Sequence, residues 1–110
     1  MRIIPIAPCG RQIKRLSKKY ASFTADLRQM SASLAQLPTS GKSLGRGCYK
    51  VRLPITSKGQ GARGGARLIT YVQLVNETVF LLAVYDKSEQ ETISDQQVVA
   101  LLAQVPEQKA

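Results

Sequence analysis

The sequence predicts an α+β domain in which an N-terminal strand and a helical hairpin lead into a three-strand antiparallel meander and a C-terminal helix. Three observations carry this. Apolar residues recur at three- and four-residue spacing between Ile13 and Leu37, the pattern changes to alternation and β-branched runs from Cys48, and helical spacing returns after Ser94. At 110 residues and 44% hydrophobic, the chain can close one modest core and is short for two ordinary domains, so residues 1–110 are read as a single domain.

Taken in order, RIIPIA (2–7) reads as a short strand that Pro5 confines to an edge or an end of a sheet. Between Cys9 and Tyr20, the residues Ile13, Leu16 and Tyr20 share one helical face, and Arg11, Lys14, Arg15, Lys18 and Lys19 make the rest cationic. Phe23, Leu27, Met30, Leu34 and Leu37 mark a second helix, with Ser22 as its expected N-cap and Pro38 near its end. TSGKSLGRG (39–47) is read as a loop. In CYKVRLPI, Tyr49, Val51 and Leu53 fall on one face of a strand and Lys50 and Arg52 on the other. RLITYVQLV (67–75) and TVFLLAVY (78–85) are the next two strands, joined at Asn76 and Glu77 by an expected tight hairpin. Ser94 followed by Gln97 is a capping box ahead of the stripe Val98, Leu101, Leu102 and Val105, which stops at Pro106.

Composition narrows the classes of function. No apolar run reaches 18 residues, and the N-terminal apolar stretch is too short, broken by Pro5 and Pro8, for a secretory signal, so a cytoplasmic protein is expected. Cys9 and Cys48 are far apart with no CxxC or Cys/His cluster, which points to two reduced thiols rather than to a disulfide framework or a zinc site. The formal charge of +9 is unevenly spread: residues 1–76 carry +13 and residues 77–110 carry −4. A basic surface of this kind favours a polyanion, because neutralised phosphates release their counterions, and nucleic acid is the first expectation.

The stretch KGQGARGGAR (58–67) concentrates four glycines and three cations between two strands and is therefore a long hairpin loop, not an interdomain linker. Its glycines permit close backbone approach and amide groups open to anions. A hairpin tip with merely solvated cations is the plainer alternative. Two nucleotide-binding patterns fail. SGKS (40–43) would need glycine at position 36, where Gln36 lies within a helix, and Gly59, Gly61 and Gly64 precede a strand instead of opening a helix.

The chain has no histidine, which removes Ser/His and Cys/His triads and the paired-histidine chemistry of many ribonucleases. Asp86, Glu89 and Glu91 are too few and too interleaved with Lys87 for a magnesium site, so no metal or cofactor is expected. Lysine and arginine chemistry suits RNA, whose own 2′-hydroxyl is the nucleophile. The protein must align it, move protons and stabilise the charged phosphorane. Lys50 and Arg52 share a face, Arg67 opens the next strand, and Lys87 follows the last one, so the four can converge at one end of the sheet. Four independent charges on a solvated face are the alternative.

At CYKVRLP, GGARLITYV and VFLLAVYDKSE the sequence resembles the RelE/ParE superfamily of bacterial toxins, in particular its RelE/HigB-like branch. The likeness covers about residues 48–95 and extends to the order of the earlier elements. It implies a RelE-like fold and a ribosome-dependent mRNA endonuclease, the toxin of a type II toxin–antitoxin system. By this resemblance Lys50 is a general base or phosphate contact, Arg67 the phosphate-stabilising arginine, and Lys87 an acid or charge stabiliser. Arg52 matches a second cation of its strand, and Lys58 and Arg63 sit in an enlarged loop as RNA contacts. RelE carries a base-stacking tyrosine shortly after its last strand; the corresponding place here is near Ile93, and Tyr85 or Tyr71 is the expected substitute. Implied partners are a cognate antitoxin, the ribosome with mRNA, and operator DNA indirectly through the antitoxin complex. A ParE-like inhibitor of DNA gyrase, or a noncatalytic RNA-binding relative, would keep the same fold.

Overall fold

Strand β5 (Thr78–Asp86) is buried along its whole length, as its unbroken apolar run requires of a strand covered on both faces and paired on both edges. In a computed structural model describing residues 1–59, 64–90 and 92–106, it pairs in parallel with β1 (Arg2–Pro5) and antiparallel with β4 (Ala66–Gln73). β4 pairs with β3 (Cys48–Leu53), and β3 with β2 (Lys42–Gly45), giving a five-stranded sheet of order β1-β5-β4-β3-β2. Helices α1 (Ala7–Lys19) and α2 (Phe23–Gln36) follow β1; a 3-10 turn (Thr56–Lys58) follows β3; α3 (Asp95–Leu102) comes last.

The expected elements are present with four changes. Residues 39–47 are not all loop: Lys42–Gly45 is a strand, paired across a bulge with β3 and missed because four residues show no alternation. The meander therefore has four antiparallel strands. The β4–β5 connection spans residues 74–77, with Glu77 at φ +48°, and is longer than the two-residue hairpin expected. Ser22 precedes α2 but its hydroxyl does not cap the helix; it donates to Asp26 Oδ2 at 2.7 Å and accepts from Ser57 N at 2.8 Å. The α3 capping box is formed as expected, with Ser94 Oγ accepting from Gln97 N and Gln97 Oε1 from Ser94 N, but the helix ends at Leu102, short of Val105.

One face of the sheet, with Val51, Leu53, Leu68 and Val84, forms the core with Leu16 of α1 and Phe23 and Leu34 of α2. Pro5 lies at the end of edge strand β1, where its missing N–H is harmless. Beyond β1 the edge of β5 is closed by Gln12, whose Oε1 accepts from Val84 N at 2.9 Å. On the opposite face α3 reaches Ala83 and Tyr85 and covers part of the sheet, leaving the rest of that face open. No helix among the described residues is long and apolar enough to cross a membrane.

Candidate nucleic-acid interface

Strand register decides which cations meet. Directly opposed residues of antiparallel strands project to the same face, and β3 sets Lys50 opposite Ile69 and Arg52 opposite Arg67, while β4 sets Arg67 opposite Tyr85. Lys87 follows β5 directly and is held by its own N–H, which donates to Gly65 O at 3.1 Å. The result is a concave pocket of about 820 Å³ lined by Gly41, Lys42, Lys50, Val51, Arg52, Arg67, Lys87 and Thr92. Lys50, Arg52, Arg67 and Lys87 thus share one surface. Among the described residues no carboxylate lines it, and none of Lys50, Arg52 and Lys87 forms an ion pair.

Arg67 is only 6% exposed, unlike the open cation its place at a strand start suggests. Its Nη1 donates to Ala66 O at 3.0 Å, so the guanidinium rises through packed structure to reach the pocket wall. The glycine preceding its strand explains how β4 starts so close to β3. A Cβ on Gly65 would lie 2.3 Å from Leu53 O and 2.9 Å from Ile55 N, so only glycine fits at this neck.

Two expected RNA contacts are placed otherwise. Lys58, 11% exposed at its side chain, donates to Asp86 Oδ1 at 3.0 Å and to Gly64 O at 2.9 Å, so it ties the glycine loop to the end of β5 instead of facing solvent. Tyr85 is 5% exposed, with its ring against a smaller cavity of about 250 Å³ beneath α3, so no face of it is presented for a base to stack on. Burial pushes its phenol up, with the neighbouring Arg67 charge opposing. Tyr71, the other aromatic considered, is stacked on Phe80. Arg63 and Glu91 lie outside the described residues.

Sequence reasoning missed Asp86. Its carboxylate is fully buried and accepts hydrogen bonds from Tyr20 Oη, Lys58 Nζ, Ser88 N (2.9 Å) and Ser88 Oγ (2.7 Å), with Lys19 Nζ 3.6 Å away. Burial alone would raise its pKa; the donors from Tyr20, Ser88 and Lys58 outweigh that and hold it well below the usual carboxylate range. Asp86 thereby joins α1, the glycine loop and the turn that carries Lys87. Gly41 and Lys42 are further pocket residues that no linear pattern exposed, because β2 itself went unseen, and Thr92 joins them from the segment before α3.

No family model matches the chain, and no curated protein does. Solved structures do. The isolated E. coli RelE toxin superposes with a TM-score of 0.61 at 17% identity, covering 93% of this chain and 96% of that one. The chain has the RelE fold. A mutant of E. coli toxin RelE in the free state gives a TM-score of 0.60 at 16% identity, over 94% of this chain and 90% of that one. A chain of the intact E. coli RelBE toxin–antitoxin complex gives 0.60 at 18% identity, over 77% of this chain and 94% of that one. The RelE fold thus extends over more of the chain than the segments of sequence likeness.

Proposed function

We propose that this chain is the toxin of a toxin–antitoxin pair and acts as an endoribonuclease on mRNA held at the ribosome. The observation that carries the reading is the convergence of Lys50, Arg52, Arg67 and Lys87 on one pocket with no acid among its described lining residues. Such a surface is built for a phosphodiester, and an RNA strand brings its own nucleophile. In this reading the 2′-hydroxyl attacks the adjacent phosphorus, Lys50 handles the proton of the nucleophile or grips the phosphate, and Arg67 with Arg52 neutralises the phosphorane. Lys87, exposed at the rim, protonates the leaving 5′-oxygen or stabilises its charge. Preorganised cations aimed at charge that develops in the transition state are the main source of rate in such a site. The same cations account for the chemistry without a metal.

The RelE fold, shared with a toxin solved together with its antitoxin, supports the toxin assignment and an antitoxin as partner. Operator DNA would be reached through that antitoxin. Induction of the chain in cells with and without the antitoxin, followed by mapping of mRNA 5′ ends, tests the reading. Growth arrest with new 5′ ends inside translated messages is expected, and both are lost in Lys50→Ala. Arrest with intact messages and altered DNA supercoiling would overturn it in favour of gyrase inhibition.

A further inference from the structure

The sheet places like charges side by side twice on the open face. Lys42 of β2 stands directly opposite Lys50 of β3, and two residues further along β3, Arg52 stands directly opposite Arg67 of β4. All four line the pocket. Like charges directly opposed across strands destabilise a sheet, so the Lys42–Lys50 pairing is not explained by folding. Nor does an acid compensate the first pair, since among the described residues neither Lys42 nor Lys50 has an ion-pair partner. The backbone beside Lys42 is also specified. Gly41 has φ +95°, and a Cβ there would lie 2.4 Å from Lys50 O, so the chain enters β2 in a conformation that seats Lys42 against Lys50 and that other residues resist.

We infer that Lys42 is a further substrate-positioning residue, which with Lys50 grips one phosphate of a single-stranded RNA while Arg52 and Arg67 grip the next. Lys50 and Arg52 are separated along β3 by about 6.6–6.8 Å, and the strand spacing of about 4.8 Å offsets the two pairs sideways, so their centres lie about 8 Å apart, within reach of neighbouring phosphates of one single strand. The Lys42–Lys50 pairing becomes favourable once an anion sits between its members. The cross-strand repulsion in the free protein is thus relieved by the ligand, and the register of the scissile bond is fixed by two anchor points instead of one. This rests on the reading of the pocket as an RNA site and adds to it a residue and a spacing.

The test is equilibrium binding of a fluorescein-labelled, unstructured 12-nucleotide RNA to the full chain across a salt series, for wild type, Lys42→Gln, Lys42→Arg and Arg28→Gln. Arg28 is exposed on α2, over the opposite face of the sheet, and controls for net charge alone. For a single strand, each lost phosphate contact lowers the slope of log affinity against log salt by about 0.7 and weakens binding roughly five- to tenfold near 50 mM salt. Lys42→Gln should show both changes with an unchanged or higher Tm, Lys42→Arg should restore them, and Arg28→Gln should show neither. An unaltered slope in Lys42→Gln beside a salt-dependent wild type overturns this inference and leaves the pocket's reading standing. A fall in Tm with the slope unchanged likewise overturns it, assigning Lys42 to folding. A wild type without salt-dependent affinity removes the RNA reading and this inference together.

Discussion

Replacing Asp86 by alanine should destabilise the domain by an amount that the structure lets one work out. The carboxylate is fully buried and holds Lys58, whose side chain is 11% exposed and whose remaining hydrogen-bond acceptor is Gly64 O. Removing one member of a buried pair costs about 3–5 kcal/mol because the other charge stays behind without compensation. Lys58 keeps a little solvent, so the lower end, about 3 kcal/mol, is expected. That is a fall in Tm of roughly 12 °C for a domain of this size, or a urea midpoint lower by roughly 2 M. The double variant Lys58→Met with Asp86→Asn removes both charges, and should recover most of the loss, since replacement of a whole pair is often near neutral. Thermal and urea denaturation of Asp86→Ala, together with Lys58→Met, Asp86→Asn and their double variant arranged as a cycle, measure this. A loss below about 1 kcal/mol in Asp86→Ala, or a double variant no more stable than the single ones, would refute the assignment of Asp86 as the hub that joins α1, the glycine loop and β5.

Other expectations follow from the same geometry. Lys87→Ala should lower mRNA cleavage by roughly 10²–10³-fold with Tm unchanged, because Lys87 is exposed and its anchoring bond to Gly65 is made by the backbone. Arg67→Ala should lose cleavage as strongly but also lose about 1–3 kcal/mol of stability, as the buried Ala66 carbonyl forfeits a donor; circular dichroism melting alongside the cleavage assay separates the two variants. Asp26 is lowered despite burial, by hydrogen bonds from Thr56 and Ser22, and Asp86 is lowered more. Both bind protons less readily folded than unfolded, so their stabilisation is complete above about pH 4 and should fade as acid takes the pH down through their folded pKa values, which urea midpoints across pH 2–6 will show. Burial pushes Cys9 up to about 12 and raises Cys48, so neither thiol should react with a thiol-specific reagent until the chain is unfolded.

Much of the fold was legible because local chemistry and tertiary packing agree. The alternation in CYKVRL, the capping box at Ser94 and the apolar run of β5 each state their own surroundings. The site was legible wherever register alone decided it, as for Lys50, Arg52 and Arg67. It was hidden wherever burial came from a distant partner. Lys58 resembles any other cation of a glycine-rich loop until Asp86, twenty-eight residues on, folds against it. Tyr85 lies on the open face of the sheet by pattern and is covered only because α3 returns over it. β2 is four residues without alternation, entered and left through Gly41, Gly45, Arg46 and Gly47 at positive φ, and its identity as a strand is conferred by β3.

The polarised charge of the chain acquires a meaning from where its acids fold. Among the described residues Asp86 binds Lys58 and Lys19, Glu89 binds Arg15 and Lys19, and Asp95 binds Arg46. Three carboxylates of the acidic C-terminal part thus reach back to the basic part, and each engages a cation that fastens α1, the glycine loop or the β2–β3 turn to the rest of the fold. None engages Lys42, Lys50, Arg52 or Lys87. A basic surface arising only from composition would have its acids distributed without regard to the pocket. Among the described residues the counter-charges are committed to α1, the loop and the turn, and Lys42, Lys50, Arg52 and Lys87 have none, which is what the proposed binding of a nucleic-acid backbone, with negative charge at regular intervals, requires.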